Sequence, residues 1–381
     1  MVMLHPCGTR KYTTRRCFGP GDTSHICPCS NRLPSRRQLG ACQPNTAVLV
    51  LESTPLSLAT PAEFGLTRHE DERRRLDQWR RNVGAHVALD LTSPSADPTA
   101  APRSIVVLSW NLWIGRARLR EVVSRIRNGH YSELGANPDL PLVVLAQEAY
   151  RCDSTVPPLQ QGRTGRVIVA QLGLQEDIVE TAQELGMNLR YAPSMRNGPT
   201  QSDRGNAILS TLPLEDARAV ELPLVLQRRV AVTSAVTLGA NRLRVISAHL
   251  DPRGQPGHKW LGTAGRALQA QHLLASVDDD TAVLGADLNL GRGRYEATWR
   301  LLGEAGFTFG VPPSLPRWKH TFHALPRLVL DYLLVRDRGG AIAEARVHRL
   351  DEHPHDRGAR VFGSDHHSLL ARIDLQSSGG V

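Results

Sequence analysis

One pattern recurs along this chain and limits what it can fold into: an apolar run long enough to be a strand, closed by a polar residue. Asn111 closes SIVVLSWNLW (104–113), Glu148 closes PLVVLAQEAY (141–150), His249 closes RLRVISAHLD (242–251), and Asp287 and Asn289 close TAVLGADLN (281–289). Asp331 interrupts PRLVLDYLLVR (326–336), and Asp365 and His366 stand on the GSDHH turn before the last strand, 368–375. Runs that are apolar at nearly every position, rather than at every second one, belong to strands covered on both faces. Such strands need partners above and below.

Helical patterns alternate with these runs. They fall at RARLREVVSRIRN (116–128), LQEDIVETAQELG (174–186), 263–277 and 295–306. Further strands are expected at 205–211, 228–238 and 341–350, with Val230, Val232, Ser234, Val236 and Leu238 alternating in the manner of a half-covered antiparallel strand. Mixed strands with a few crossover helices predict an α/β class in which two packed mixed sheets are flanked by helices. The folded domain is expected over 103–381, preceded by a charged helix and linker over 60–102 and a disordered tail over 1–59.

Charge and cysteine usage narrow the function classes less than they first suggest. The net charge is +9, but residues 1–48 hold seven Lys+Arg against the single acid Asp22, so the remainder carries only +3. A basic balance of that size does not by itself indicate a polyanion partner. Five of the six cysteines lie in the first 42 residues without paired C-x-x-C spacing, and Cys152 is alone in the rest. Neither a zinc knuckle nor a disulfide within the domain is therefore expected. No run approaches the length of a membrane span. The stretch 35–62 has the double arginine of an export signal, but Glu52 and three prolines interrupt its apolar part, so a cytoplasmic location is expected, with export as the alternative.

The strand-end residues form a set with a chemistry. Glu148, Asp287, Asp365 and the amide oxygen of Asn111 are hard oxygen ligands of the type Mg²⁺ or Mn²⁺ prefers, and no Cys/His spacing favours zinc. Ligand sites of α/β sheets gather where strands end. A hard cation held by carboxylates beside histidines suits phosphoester hydrolysis, with an imidazole oriented by a carboxylate handling protons. Arg204, Arg228, Arg229, Arg292 and Arg294 are the candidate phosphate contacts.

In this order, WN, QE, GNAILS, AHLD, GADLN, LDYLLV and SDH resemble the endonuclease/exonuclease/phosphatase superfamily over about 103–375. This is the Mg²⁺-dependent fold of pancreatic deoxyribonuclease, abasic-site endonucleases, deadenylases, neutral sphingomyelinases and inositol polyphosphate 5-phosphatases. The resemblance implies a four-layer α/β sandwich with the site at one end. It implies that Glu148, Asn111 and Asp365 hold the metal, and that Asp287 positions or deprotonates the attacking water. Asn289 would hold a phosphate oxygen, and His366 would face the scissile phosphate with its tautomer set by Asp331. His249 stands where the deoxyribonuclease, deadenylase and sphingomyelinase branches also have a histidine. Arg204, Asn206 and Arg229 are the expected substrate contacts, while His367 points away and Arg266 and Gln269 are architectural.

The expected activity is Mg²⁺- or Mn²⁺-dependent hydrolysis of phosphoesters by a monomer. A nuclease-like phosphodiesterase is the first choice. A phospholipid or small-molecule phosphatase is the alternative, and a non-catalytic binding protein on the same fold is the third.

Overall fold

The computed structural model describes residues 57–58, 70–92, 102–160, 174–252, 262–309, 320–323, 327–351 and 361–376. The strands, in chain order, are β1 (Ser57–Leu58), β2 (Val87–Leu89), β3 (Ser104–Asn111), β4 (Leu142–Cys152), β5 (Asn188–Arg196), β6 (Ser202–Ser210) and β7 (Glu215–Glu221). They continue with β8 (Val230–Leu238), β9 (Asn241–His249), β10 (Ala282–Asp287), β11 (Phe307–Phe309), β12 (Asp331–Arg336), β13 (Ile342–Arg349) and β14 (Leu369–Leu375). The helices are α1 (Glu70–Arg81), α2 (Leu119–Arg127), α3 (Ile178–Leu185), α4 (Thr263–Ala275) and α5 (Ala297–Glu304).

Two seven-stranded mixed sheets result, one ordered β1-β7-β8-β9-β10-β12-β11 and the other β13-β14-β3-β4-β6-β5-β2. The apolar runs explain why the sheets stack. In β3, Ile105 and Val107 join Val143, Leu145, Val232, Val245, Val283 and Leu333 in a core between the sheets. The alternate residues Val106, Leu108 and Trp110 face the other way, onto Leu119, Val122, Val123 and Ile126 of α2 and Ile178 and Ala182 of α3. On the outer face of the other sheet, Ile246, Leu284 and Leu334 pack with Ala270 and Leu273 of α4 and Leu302 of α5. At roughly 1.5–3 kcal/mol for each fully buried Val, Leu or Ile, these three cores dominate the stability. The order is helix, sheet, sheet, helix: a four-layer α/β sandwich.

Local signals account for the helices that sheathe it. The apolar positions of α2 recur at i, i+3, i+4 and i+7, a single buried stripe. In α3, the Asp177 carboxylate caps the first turn by accepting from Val179 N and Glu180 N, and Gly186 ends the helix at φ 60°. Gly285 leaves room for the facing sheet, because a Cβ there would lie 2.6 Å from Ser109 Oγ and 2.8 Å from Leu145 Cδ1.

Several elements differ from expectation. Strands β2, β5, β7 and β11 fall outside the expected strands, and β2, which pairs with β5, lies inside the stretch 60–102 expected to be helix and linker. In β5, Pro193 has no N–H to give, and the register with β6 shifts between Pro193 and Met195. Strand β8 is covered on both faces, only Thr237 being exposed, rather than on one. Cys152, the one cysteine in the domain expected over 103–381, is disulfide-bonded. The expectation for 1–59 falls outside the described residues apart from β1, as does most of the linker 92–102.

Candidate active site

Sheet register gathers the strand-end residues. Strand β10 lies between β9 and β12, and its last residue, Asp287, pairs with His249 on one side and Asp331 on the other. In the facing sheet, Asn111 ends β3 opposite Gln147 of β4. Asn111 Nδ2 donates to Asp287 Oδ2 across the sheets at 2.9 Å, and Asn111 Oδ1 accepts from Trp113 N at 3.0 Å. Five polar groups thus share one end of the sandwich.

His366 enters from the turn before β14. Its ring Nδ1 lies 2.7 Å from Asp331 Oδ2, leaving Nε2 to face Asp287 Oδ2 at 4.0 Å and Asp365 Oδ1 at 3.9 Å. With Nδ1 donating to a carboxylate, a neutral ring keeps its lone pair on Nε2. Although burial opposes the charged form, the Asp331 carboxylate, with Asp287 and Asp365, raises the His366 pKa to about 10. Burial, then the negative Asp331, pushes Asp287 upward. His249, 3.3 Å from Asp287 Oδ2, is driven the other way, well below its ordinary value, by burial and then by Arg229, His366 and Arg204. The two histidines flanking one carboxylate are shifted in opposite directions.

The oxygen-ligand set lies beside this row. Glu148 sits at φ 50°, a left-handed backbone uncommon for a non-glycine residue, at the register shift between Ala146 and Ala149 of β4. Asp365 is pushed up to about 6, chiefly by burial and also by the Glu148 charge, while His366 opposes the rise. Its Oδ1 is buried without a hydrogen-bond partner, as is Asp331 Oδ1. Two mutually repelling carboxylates, one with an unsatisfied buried oxygen, are the hard oxygen donors that a divalent cation takes, and Asn111 Oδ1 has a second lone pair to offer. Glu148, Asp365 and Asn111 would hold it. Asp287, Asp331 and His366 also have ligand atoms within 4.8 Å of one another, but there His366 is committed to Asp331.

The remaining expected residues divide. Arg204 is buried with Nη1 on Asn197 Oδ1 at 2.5 Å and Nε unpartnered; burial lowers its pKa, Glu148 opposes that, and Arg229 adds to it. Arg229 donates to Asp251 Oδ1 at 3.0 Å and, like Arg204, bears on His249. Asn206 gives Nδ2 to Val230 O, joining the sheets, and Asn289, at φ 52°, gives Nδ2 to Leu250 O and its backbone N–H to Asp287 Oδ1. Arg228 is not brought to the site. It is buried against Glu221, Pro193 O and Ser194 O. Arg292 and Arg294 are exposed on the turn after Asn289.

Several positioning groups escape sequence reasoning. Gln147 Nε2 reaches Ser247 Oγ and Gly285 O, clasping the sheets beneath the site. Ser364 Oγ donates to Asn111 O and accepts from His366 N, Trp110 Nε1 donates to His366 O, and Thr321 Oγ1 accepts from Asp331 N. The local hints are Trp110, Gln147 and Ser364 inside the WN, QE and SDH motifs, which give no role to any of the three.

A family model for the endonuclease/exonuclease/phosphatase family matches residues 108–366. The chain belongs to this family. No curated protein sequence matches it. Among solved structures, an endonuclease/exonuclease/phosphatase from Beutenbergia cavernae is similar at 18% identity and TM-score 0.46, covering 73% of each chain. The human Nocturnin catalytic domain is 14% identical over 77% of this chain and 98% of its own, with TM-score 0.46. Sphingomyelinase C from Streptomyces griseocarneus is 16% identical over 72% of this chain and all of its own, with TM-score 0.44. Endonuclease/exonuclease/phosphatase family members are generally phosphoester hydrolases and typically depend on a divalent metal. Among the described residues no helix is long and apolar enough to cross a membrane.

Proposed function

We propose that this chain is a Mg²⁺- or Mn²⁺-dependent phosphoester hydrolase of the nuclease-like phosphodiesterase type. The observation that carries the reading is the row His249, Asp287, Asp331 and His366, a buried set of acids and imidazoles in hydrogen-bond or near contact, beside the unsatisfied Asp365 oxygen. When bound at Glu148, Asp365 and Asn111, the cation supplies charge stabilisation at the phosphoryl oxygens. Oxygen ligands of this type favour Mg²⁺ or Mn²⁺ over softer metals.

The chain's own groups do the rest. Asp287, with Oδ2 held by Asn111 and Oδ1 by the Asn289 backbone, orients a water and takes its proton. Charged His366, fixed through Nδ1 by Asp331, presents Nε2–H to the developing negative charge. The second amide hydrogen of Asn289 and the free edge of Arg204 bind phosphate oxygens. The nuclease-like choice over a monoesterase draws on His249, the branch-marking residue, in contact with the proposed base Asp287.

The test is hydrolysis of bis-p-nitrophenyl phosphate, single-stranded and duplex nucleic acids and phospholipid vesicles with Mg²⁺ or Mn²⁺, each against an EDTA control. Metal-dependent turnover on the diester and a nucleic acid is expected. Turnover on phospholipid alone would move the assignment to the lipid phosphodiesterases, and no metal-dependent turnover on any of them would remove the enzymatic reading.

A further inference from the structure

Behind the catalytic turn lies a second cluster that the proposed chemistry does not use. His320 Nε2 lies 3.4 Å from His323 Nδ1, which lies 3.2 Å from His367 Nε2, and the three nitrogens are all within 4.8 Å of one another. His323 and His367 are buried and His320 is partly exposed. The other ring nitrogen of His367 is spoken for, since Nδ1 faces Leu350 O at 3.3 Å and Asp351 Oδ1 at 2.9 Å. Nδ1 facing two acceptors carries the hydrogen, so Nε2 points its lone pair into the cluster.

Hydrogen bonding alone serves this arrangement poorly. His323 Nδ1 has either one hydrogen or one lone pair, so a hydrogen bond serves only one of its two imidazole neighbours. A cation satisfies all three nitrogens at once. With metal–nitrogen bonds of about 2.0–2.1 Å, two ligands of a tetrahedral ion stand about 3.3 Å apart, the spacing of both short pairs here. The Leu350 carbonyl behind His367, with the Asp351 carboxylate in ion-pair range, is an outer partner of the kind that orients metal ligands. Arg349, the nearby cation, is paired with Asp351 at 2.8 Å. No Cys/His spacing in the sequence predicts this site, because the fold assembles it from a short segment and a residue 44 positions later.

We propose that His320, His323 and His367 form a second metal site that takes a zinc-class transition ion and is separate from the carboxylate site. Its place gives it a task. His323 N donates to Asp365 O, His367 N donates to Thr321 O, and Thr321 Oγ1 accepts from Asp331 N. An ion held by all three imidazoles staples the 320–323 segment to the loop carrying Asp365 and His366.

The experiment uses the full chain, stripped with chelator and then given Co²⁺ or Zn²⁺ alone. Cobalt is expected to produce the visible absorption of a nitrogen-ligated, low-symmetry ion, and added zinc to abolish it. Competition with a chromophoric chelator should then show His320→Ala and His323→Ala binding zinc more than about 100-fold more weakly than the unaltered chain, beyond what loss of an outer partner costs. Glu148→Gln should keep the zinc. The cobalt band is read on the unaltered chain, so misfolding of a variant does not decide the matter, and its absence would overturn the proposal. So would wild-type zinc affinity in His320→Ala, or loss of the zinc in Glu148→Gln.

Discussion

Two buried carboxylates in these sheets, Asp203 and Asp287, live in opposite circumstances. Asp203 takes Arg151 Nε and Nη2 at 3.0 and 2.5 Å, the Tyr191 hydroxyl at 2.8 Å and the Gly84 N–H at 2.8 Å, and Arg151 spends Nη1 on Ala85 O. Every strong donor there has an acceptor and the charges cancel. Asp287 has a neighbouring acid, two imidazoles shifted in opposite directions and, among the described residues, no arginine bonded to it, while Asp331 and Asp365 each keep a buried oxygen without a partner. A satisfied buried pair has nothing left to offer a ligand. A cluster of unsatisfied carboxylate oxygens beside imidazoles is the arrangement that a ligand or a reaction can use.

The comparison breaks most visibly by substitution. Asp287→Asn should lower kcat on a phosphodiester by roughly 10²- to 10⁴-fold, the range of general acid–base groups, with the unfolding midpoint little changed. His366→Ala should lower kcat by as much but also strands buried Asp331, so only Asp287→Asn is read for stability. A comparable loss of stability instead would make the Asp287 row a structural lock like the other.

Asp203→Asn should do the reverse. Removing one partner strands Arg151 in the core, which costs about 3–5 kcal/mol, read as a lower denaturant midpoint, while turnover per folded molecule stays near wild type. Glu148→Gln gives the smallest effect. It should raise the Mg²⁺ concentration for half-maximal activity about 10-fold or more, in line with the sensitivity of metal sites to their ligand shell, and leave most of kcat at saturating metal. An unchanged metal requirement would take Glu148 out of the ligand set.

The central strands were legible because both of their faces are apolar, so composition alone marks them. Strand β5 was not, since its buried Asn188 and Arg190 are satisfied by Leu91 N, Thr92 N, Leu89 O and Leu214 O, partners that no local pattern reveals. Strand β7, EDARAVE, reads as a charged loop until β8 pairs with it. Within the site, Asp331 announces itself as a carboxylate in an apolar run. Gln147, Ser364 and Thr321 do not, because each gains its meaning from a backbone group brought close only by the fold. The same holds for His320, His323 and His367, whose convergence depends on a turn and a loop meeting.

The most direct measurement of the central claim is a double-mutant cycle on kcat, with Asp331→Asn, His366→Ala and the double variant assayed on a phosphodiester at saturating Mg²⁺. Residues acting as a unit lose their contribution once. With Asp331 working only through His366 Nδ1, the double variant should be about as slow as His366→Ala alone. A double variant slowed by the product of the two single effects would show that Asp331 and His366 act independently, and would contradict the account.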